Sequence, residues 1–100
     1  MNNPNDNGRP RRTFALWQIV MTPGAAAAFA ATGERPFPFL ARHQQGDWGE
    51  ISPEDATENA FSVAHGFRVL SAYGLRDGTR IWILTDADRS ATTILLPDEY

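Results

Sequence analysis

The chain has neither a cysteine nor a lysine. Without cysteine there is no disulfide framework, no thiolate metal site and no thiol nucleophile, so a small core must hold by packing alone or with a partner subunit. Long apolar runs are also missing. The longest are far too short for a membrane span, and the first residues lack the apolar stretch of a secretory leader, so a cytoplasmic protein without a membrane role is expected. The eight glycines are scattered, and neither a phosphate-cradling loop nor a Gly-x-Ser-x-Gly elbow is present. Ser90 has no base beside it in sequence. His43, His65 and Asp47 lack the spacing of zinc ligands, so no metal and no cofactor are expected.

What is present is ordinary for a globular chain: 100 residues, 42% apolar and 21% charged, enough for one domain. All nine basic residues are arginine, set against twelve acids, for a net charge of −3. Arg9, Arg11 and Arg12 against Asp6 make residues 1–12 +2, which leaves −5 for the remainder. A body of that sign is a poor non-specific ligand for nucleic acid, whose affinity comes from phosphate neutralisation.

Residues 1–12 are rich in Asn, Pro and Gly and have no apolar residue after Met1. They are expected to form a disordered arm before a single domain over 13–100. The dense run Phe14–Met21 reads as a strand. Thr22-Pro23 reads as an N-cap with proline at the first helical position, opening an alanine-rich helix that ends at Gly33. Arg35-Pro36-Phe37-Pro38 reads as a stiff connector, and Phe39–Gln45 as a second short helix. Ser52-Pro53-Glu54-Asp55 opens a third, with Ala56, Ala60, Phe61 and Ala64 on its buried face and Gly66 at its end. From Phe67 the period becomes two. Asp77-Gly78 marks a hairpin, Thr79–Thr85 the return strand and Ser90–Leu96 a last strand. The spacing predicts an α+β fold: short helices on a three- to four-stranded antiparallel sheet that ends in a β-meander.

Several stretches resemble a family of short bacterial proteins borne on plasmids and integrative elements: Arg42-His43, Gly46-Asp47-Trp48-Gly49, Leu70-Ser-Ala-Tyr73, Asp77-Gly-Thr79, and the run from Ile81 to Tyr100. The likeness covers residues 14–100, with Thr85-Asp86 where the family has Thr-Glu. It implies residence on mobile DNA and no particular chemistry.

The expected topology is also similar to the small metal-independent ribonucleases of the barnase, colicin and RelE-like toxin group. That likeness implies His43 as base or acid, Arg42 or Arg89 as the clamp on the phosphate, and Thr92 or Thr93 as a donor. Taken by itself, His43 reads as a helix-surface histidine. Asp86-x-Asp88 could hold Mg²⁺, but reads better as a turn in which the carboxylates bond local N–H groups and pair with Arg89. Trp82 shares a strand face with Arg80, the composition of an interface anchor, and Arg80, Trp82, Asp86, Asp88 and Arg89 are the expected binding residues. Three functions are compatible with this: an interaction protein that binds and inhibits a host or element-encoded protein, for example a defence complex; a ribonuclease-like toxin; and a structural homodimer paired through a sheet edge or the Trp82 face.

Overall fold

A computed structural model describes residues 14–100, so the expected arm lies outside the described residues. Strand β1 (Gln18–Met21) leads into helices α1 (Pro23–Thr32), α2 (Phe37–Gln44) and α3 (Pro53–His65). Strands β2 (Val69–Gly74), β3 (Arg80–Thr85) and β4 (Ala91–Leu95) follow, then a single 3₁₀ turn at Pro97–Glu99.

The helix starts form where the caps stand. The Thr22 side chain accepts from the Ala25 N–H at 3.2 Å, and Ser52 from that of Asp55 at 3.1 Å. Each is followed by a proline whose missing N–H would have been unpaired anyway. Glu54 and Asp55 lie in the first turn of α3, where the dipole favours negative charge. For the same reason α2 begins at Phe37, earlier than expected: Pro36 and Pro38 sit at its front, where no N–H is required. At the far end of the chain the Glu99 carboxylate accepts from Thr22 Oγ1 at 2.5 Å, the Gly24 N–H at 3.1 Å and the Leu96 N–H at 2.8 Å. It therefore latches the last residues onto the start of α1, and these hydrogen bonds, Thr22's first, hold its pKa below the usual carboxylate range.

The fold is α+β, with strand order β1-β4-β3-β2. β2, β3 and β4 form the expected antiparallel meander. The sheet is mixed, however, because β1 runs parallel to β4, with Gln18 opposite Ala91 and Met21 opposite Ile94. A parallel pair needs a long crossover, and residues 22–90, with the three helices and strands β2 and β3, supply it. β1 is also shorter than the run Phe14–Met21: Phe14 leaves the sheet and sets its ring edge-on to His43, 5.4 Å between centroids.

One sheet face carries the core. Tyr73, Ile81, Ile83 and Ile94 from the strands pack with Ala25 and Phe29 of α1 and Leu40 of α2. On the other face Trp82 is half-buried, edge-on to Tyr100 at 5.6 Å, and the Arg68 guanidinium lies 5.4 Å over the Tyr100 ring. The expected exposed anchor is thus partly covered by the chain's own last residue.

The face that α3 turns inward also differs from the expected one. Asn59 is buried, with Ala56, Ser62 and Val63 half-buried beside it, while Ala60 and Ala64 are exposed and Phe61 is 56% exposed. The cause is the outer edge of β2, which has no strand beside it among the described residues. The Asn59 amide donates to the Leu70 carbonyl at 2.7 Å and accepts from the Leu70 N–H at 3.2 Å, as a neighbouring strand would. One step along, Ala72 donates to the Trp48 carbonyl at 3.0 Å and accepts from the Glu50 N–H at 2.7 Å. Asn59→Ala leaves both Leu70 groups without these partners, and a loss of about 2 kcal/mol in chemical denaturation is expected. A loss below about 0.5 kcal/mol would mean that water replaces the amide at no cost.

Candidate functional site

Leu40 and His43 lie three residues apart on α2, share one face and are both buried. His43 is fully buried, which corrects its reading as a surface histidine. Its ring meets core-facing positions of β2 and β3: Nδ1 is 2.5 Å from Ser71 Oγ and Nε2 is 2.8 Å from Thr85 Oγ1. Thr85 Oγ1 is in turn 2.8 Å from Thr92 Oγ1 on β4, so one imidazole ties α2 to three strands. A neutral ring has one donor and one acceptor, and the hydroxyls, which can do either, fit both. Burial, and then the positive charge of Arg89, push the His43 pKa down to about 4. Phe14 and Trp48 close the ring in edge-on, Trp48 at 5.9 Å.

Arg89 is held by carbonyls and not by the carboxylates expected to pair with it. Nη1 donates to the carbonyls of Phe67 at 2.6 Å and Asp86 at 3.1 Å, and Nη2 to that of Ser62 at 2.9 Å. Ser62 lies in the last turn of α3, where a cation complements the helix dipole. Arg42 makes a two-pronged contact with Asp47, at 2.7 and 3.3 Å, and stands 4.6 Å over the Tyr73 ring. The Tyr73 hydroxyl donates to the Asp47 carbonyl at 2.6 Å, and burial pushes its pKa up to about 12.

Of the residues named for ribonuclease chemistry, the structure joins His43 to Thr92 through Thr85 and brings Arg89 close. Arg42 is engaged with Asp47 and Tyr73, and Thr93, one residue on from Thr92, faces the opposite side of the sheet. Ser71 and Thr85 escaped notice, although polar residues at core-facing positions of alternating strands are a signal that a polar guest is buried there.

The expected binding residues do not form one surface. Arg80 lies at one end of β3, where it donates to the Glu50 carbonyl at 3.1 Å. Asp86, Asp88 and Arg89 lie past the other end, roughly 17 Å of strand away. Asp88 accepts from the Ser90 N–H at 3.0 Å and its hydroxyl at 2.7 Å, the turn geometry expected of it. Among the described residues no group of three or more His, Asp or Glu side chains could hold a metal ion.

A different surface stands out. Phe61 on α3 and Phe67 beyond it are 56% and 54% exposed, yet their rings stack nearly parallel at 5.9 Å, and His65 stacks on Phe61 at 4.1 Å. Beside them is an open concavity of about 440 Å³ lined by Thr57, Glu58, Phe61 and Ser62. Among the described residues no helix is long and apolar enough to cross a membrane. No protein-family model matches this chain, and no curated protein or solved structure is significantly similar to it.

Proposed function

We propose that the chain is a non-enzymatic interaction protein that works by holding a host- or element-encoded protein. One contrast carries this reading. His43, the group suited to proton chemistry, is fully buried with both nitrogens engaged, and the arginines suited to phosphate are taken up by the chain itself, Arg42 in a surface ion pair with Asp47 and Arg89 on backbone carbonyls, whereas the Phe61–Phe67 stack stands open. A ribonuclease base must reach the 2′-OH of its substrate, and an imidazole that is fully buried with both nitrogens engaged has no such reach. An acidic body also repels the polyanion. The likeness to plasmid- and element-borne chains supports a defence-related host complex in the cytoplasm as the target, and its inhibition as the result. A second reading, the homodimer, draws on β1: its outer edge has no strand neighbour among the described residues, and Ile19 and Val20 are 43% and 40% exposed there.

The test is capture from a host lysate on the immobilised full chain. Wild type should retain one protein in stoichiometric amount, and Phe61→Ser with Phe67→Ser should release it. Retention by the double variant removes this reading. Cleavage of total RNA by the purified chain, abolished in His43→Asn, would transfer the function to the ribonuclease, and a sedimenting dimer that captures nothing would transfer it to the homodimer.

A further inference from the structure

Resting on that reading, the geometry points to the chemistry of the partner: a protein segment with one apolar face flanked by lysine or arginine, docking along α3. Glu54, Glu58, Phe61 and His65 recur at helical spacing and form one stripe, with acid at the amino end and aromatic rings at the carboxyl end. All four are exposed, and Phe67 continues the apolar end. The concavity lies between the two halves, with Glu58 and Phe61 on its wall.

Three features make this stripe a receptor. The stacked rings are already held by one another, so little side-chain freedom is lost on binding. The helix beneath is fixed at both ends and in the middle, by the Ser52 cap, the Arg89 guanidinium on Ser62 and the Asn59 grip on Leu70. And Glu54, Asp55 and Glu58 have no ion-pair partner among the described residues; the helix dipole answers Glu54 and Asp55 in the first turn, but Glu58, a turn further on, is exposed beside an unburied apolar end. A ligand that answers both is cationic and apolar together. A second copy brings the same acidic stripe and a net charge of the same sign. An oligonucleotide or an anionic membrane brings phosphates to carboxylates.

The experiment titrates the isotope-labelled full chain with three helical peptides of equal length: leucine–lysine, leucine–glutamate and serine–lysine. The leucine–lysine peptide should shift the amides of Glu54, Glu58, Phe61 and Phe67 and bind more weakly as salt rises. Phe61→Ser should weaken it at least about tenfold. Glu54→Gln with Glu58→Gln should weaken it about three- to tenfold and flatten the salt dependence. These side chains are exposed, so the rest of the spectrum should stay in place. The proposal is overturned by no binding, by equal binding of serine–lysine or leucine–glutamate, by shifts centred on β1, or by full affinity in Phe61→Ser. If lysate capture still depends on Phe61 while the leucine–lysine peptide fails, the partner chemistry is wrong and the interaction reading stands. If capture itself fails, that reading falls, whatever the peptides do.

Discussion

Gly49→Ala is expected to cost about 3–4 kcal/mol in equilibrium unfolding, a loss of the size that only a few mechanisms produce. Gly49 lies flat across Ala72 of β2, with hydrogen bonds on either side of it, from Ala72 N–H to the Trp48 carbonyl and from Glu50 N–H to the Ala72 carbonyl. Its φ is +74°, and a Cβ there would stand 2.1 Å from the Ala72 carbonyl oxygen and 2.6 Å from the Tyr73 ring. Neither neighbour can yield cheaply. The oxygen is backbone inside the sheet, and Tyr73 is buried with its hydroxyl on the Asp47 carbonyl. Relief therefore requires the Trp48–Glu50 segment to lift off β2, losing two hydrogen bonds worth about 1 kcal/mol each in addition to the strain of a left-handed alanine. Gly78→Ala is the control. Its φ is +88° with nothing within 4 Å, so only the conformational strain remains, about 1 kcal/mol. Equal costs for the two variants would show that contact with β2 contributes nothing.

The second large effect belongs to His43. His43→Ala removes a fully buried ring and leaves Ser71 and Thr85 facing a void, and about 3–5 kcal/mol is expected. If that variant does not fold, the pH dependence of the wild type carries the same information. The imidazole titrates near 6.5 in the unfolded chain and at about 4 in the native one. As pH falls below 6.5 the unfolded chain takes up a proton that the native state refuses. Stability is therefore full above pH 6.5 and declines until about pH 4, by about 2 kcal/mol at pH 5. Denaturation curves at pH 7.5 and 5 measure it. Identical midpoints would show that the native ring accepts its proton freely.

Much of the architecture is legible in the residues because caps and turns act locally. Thr22-Pro23 and Ser52-Pro53 start helices where they stand, and Asp77-Gly78 turns the chain into β3. The alternation along β3 sets Ile81 and Ile83 on one face and Arg80, Trp82 and Leu84 on the other without reference to anything distant, and the helices settle which face is buried. What escapes the sequence is decided by partners far along the chain. The parallel seat of β1 depends on which edge of β4 is open once β3 has taken the other. Asn59 is absent from the buried face that helix periodicity predicts, and it is drawn in by the outer edge of β2. Arg89 reads as the ion-pair partner of two nearby carboxylates, and is drawn away by the end of a helix whose position a turn motif does not reveal. His43 belongs to the same class. Its burial is satisfied by two hydroxyls on strands from Val69 onward, Ser71 and Thr85, with Thr92 behind Thr85, and helix periodicity alone cannot choose between surface and interior.

The place of β4 between β1 and β3 has a kinetic consequence. β2, β3 and β4 meet through short turns, but β1 must close a loop over most of the chain before it pairs with β4. Such closure is entropically the costliest step of assembly and yields only four paired residues. β1 should therefore dock after the rate-limiting barrier, with φ-values near zero. Weakening Val20 or Met21 would hasten unfolding and leave the refolding rate almost untouched.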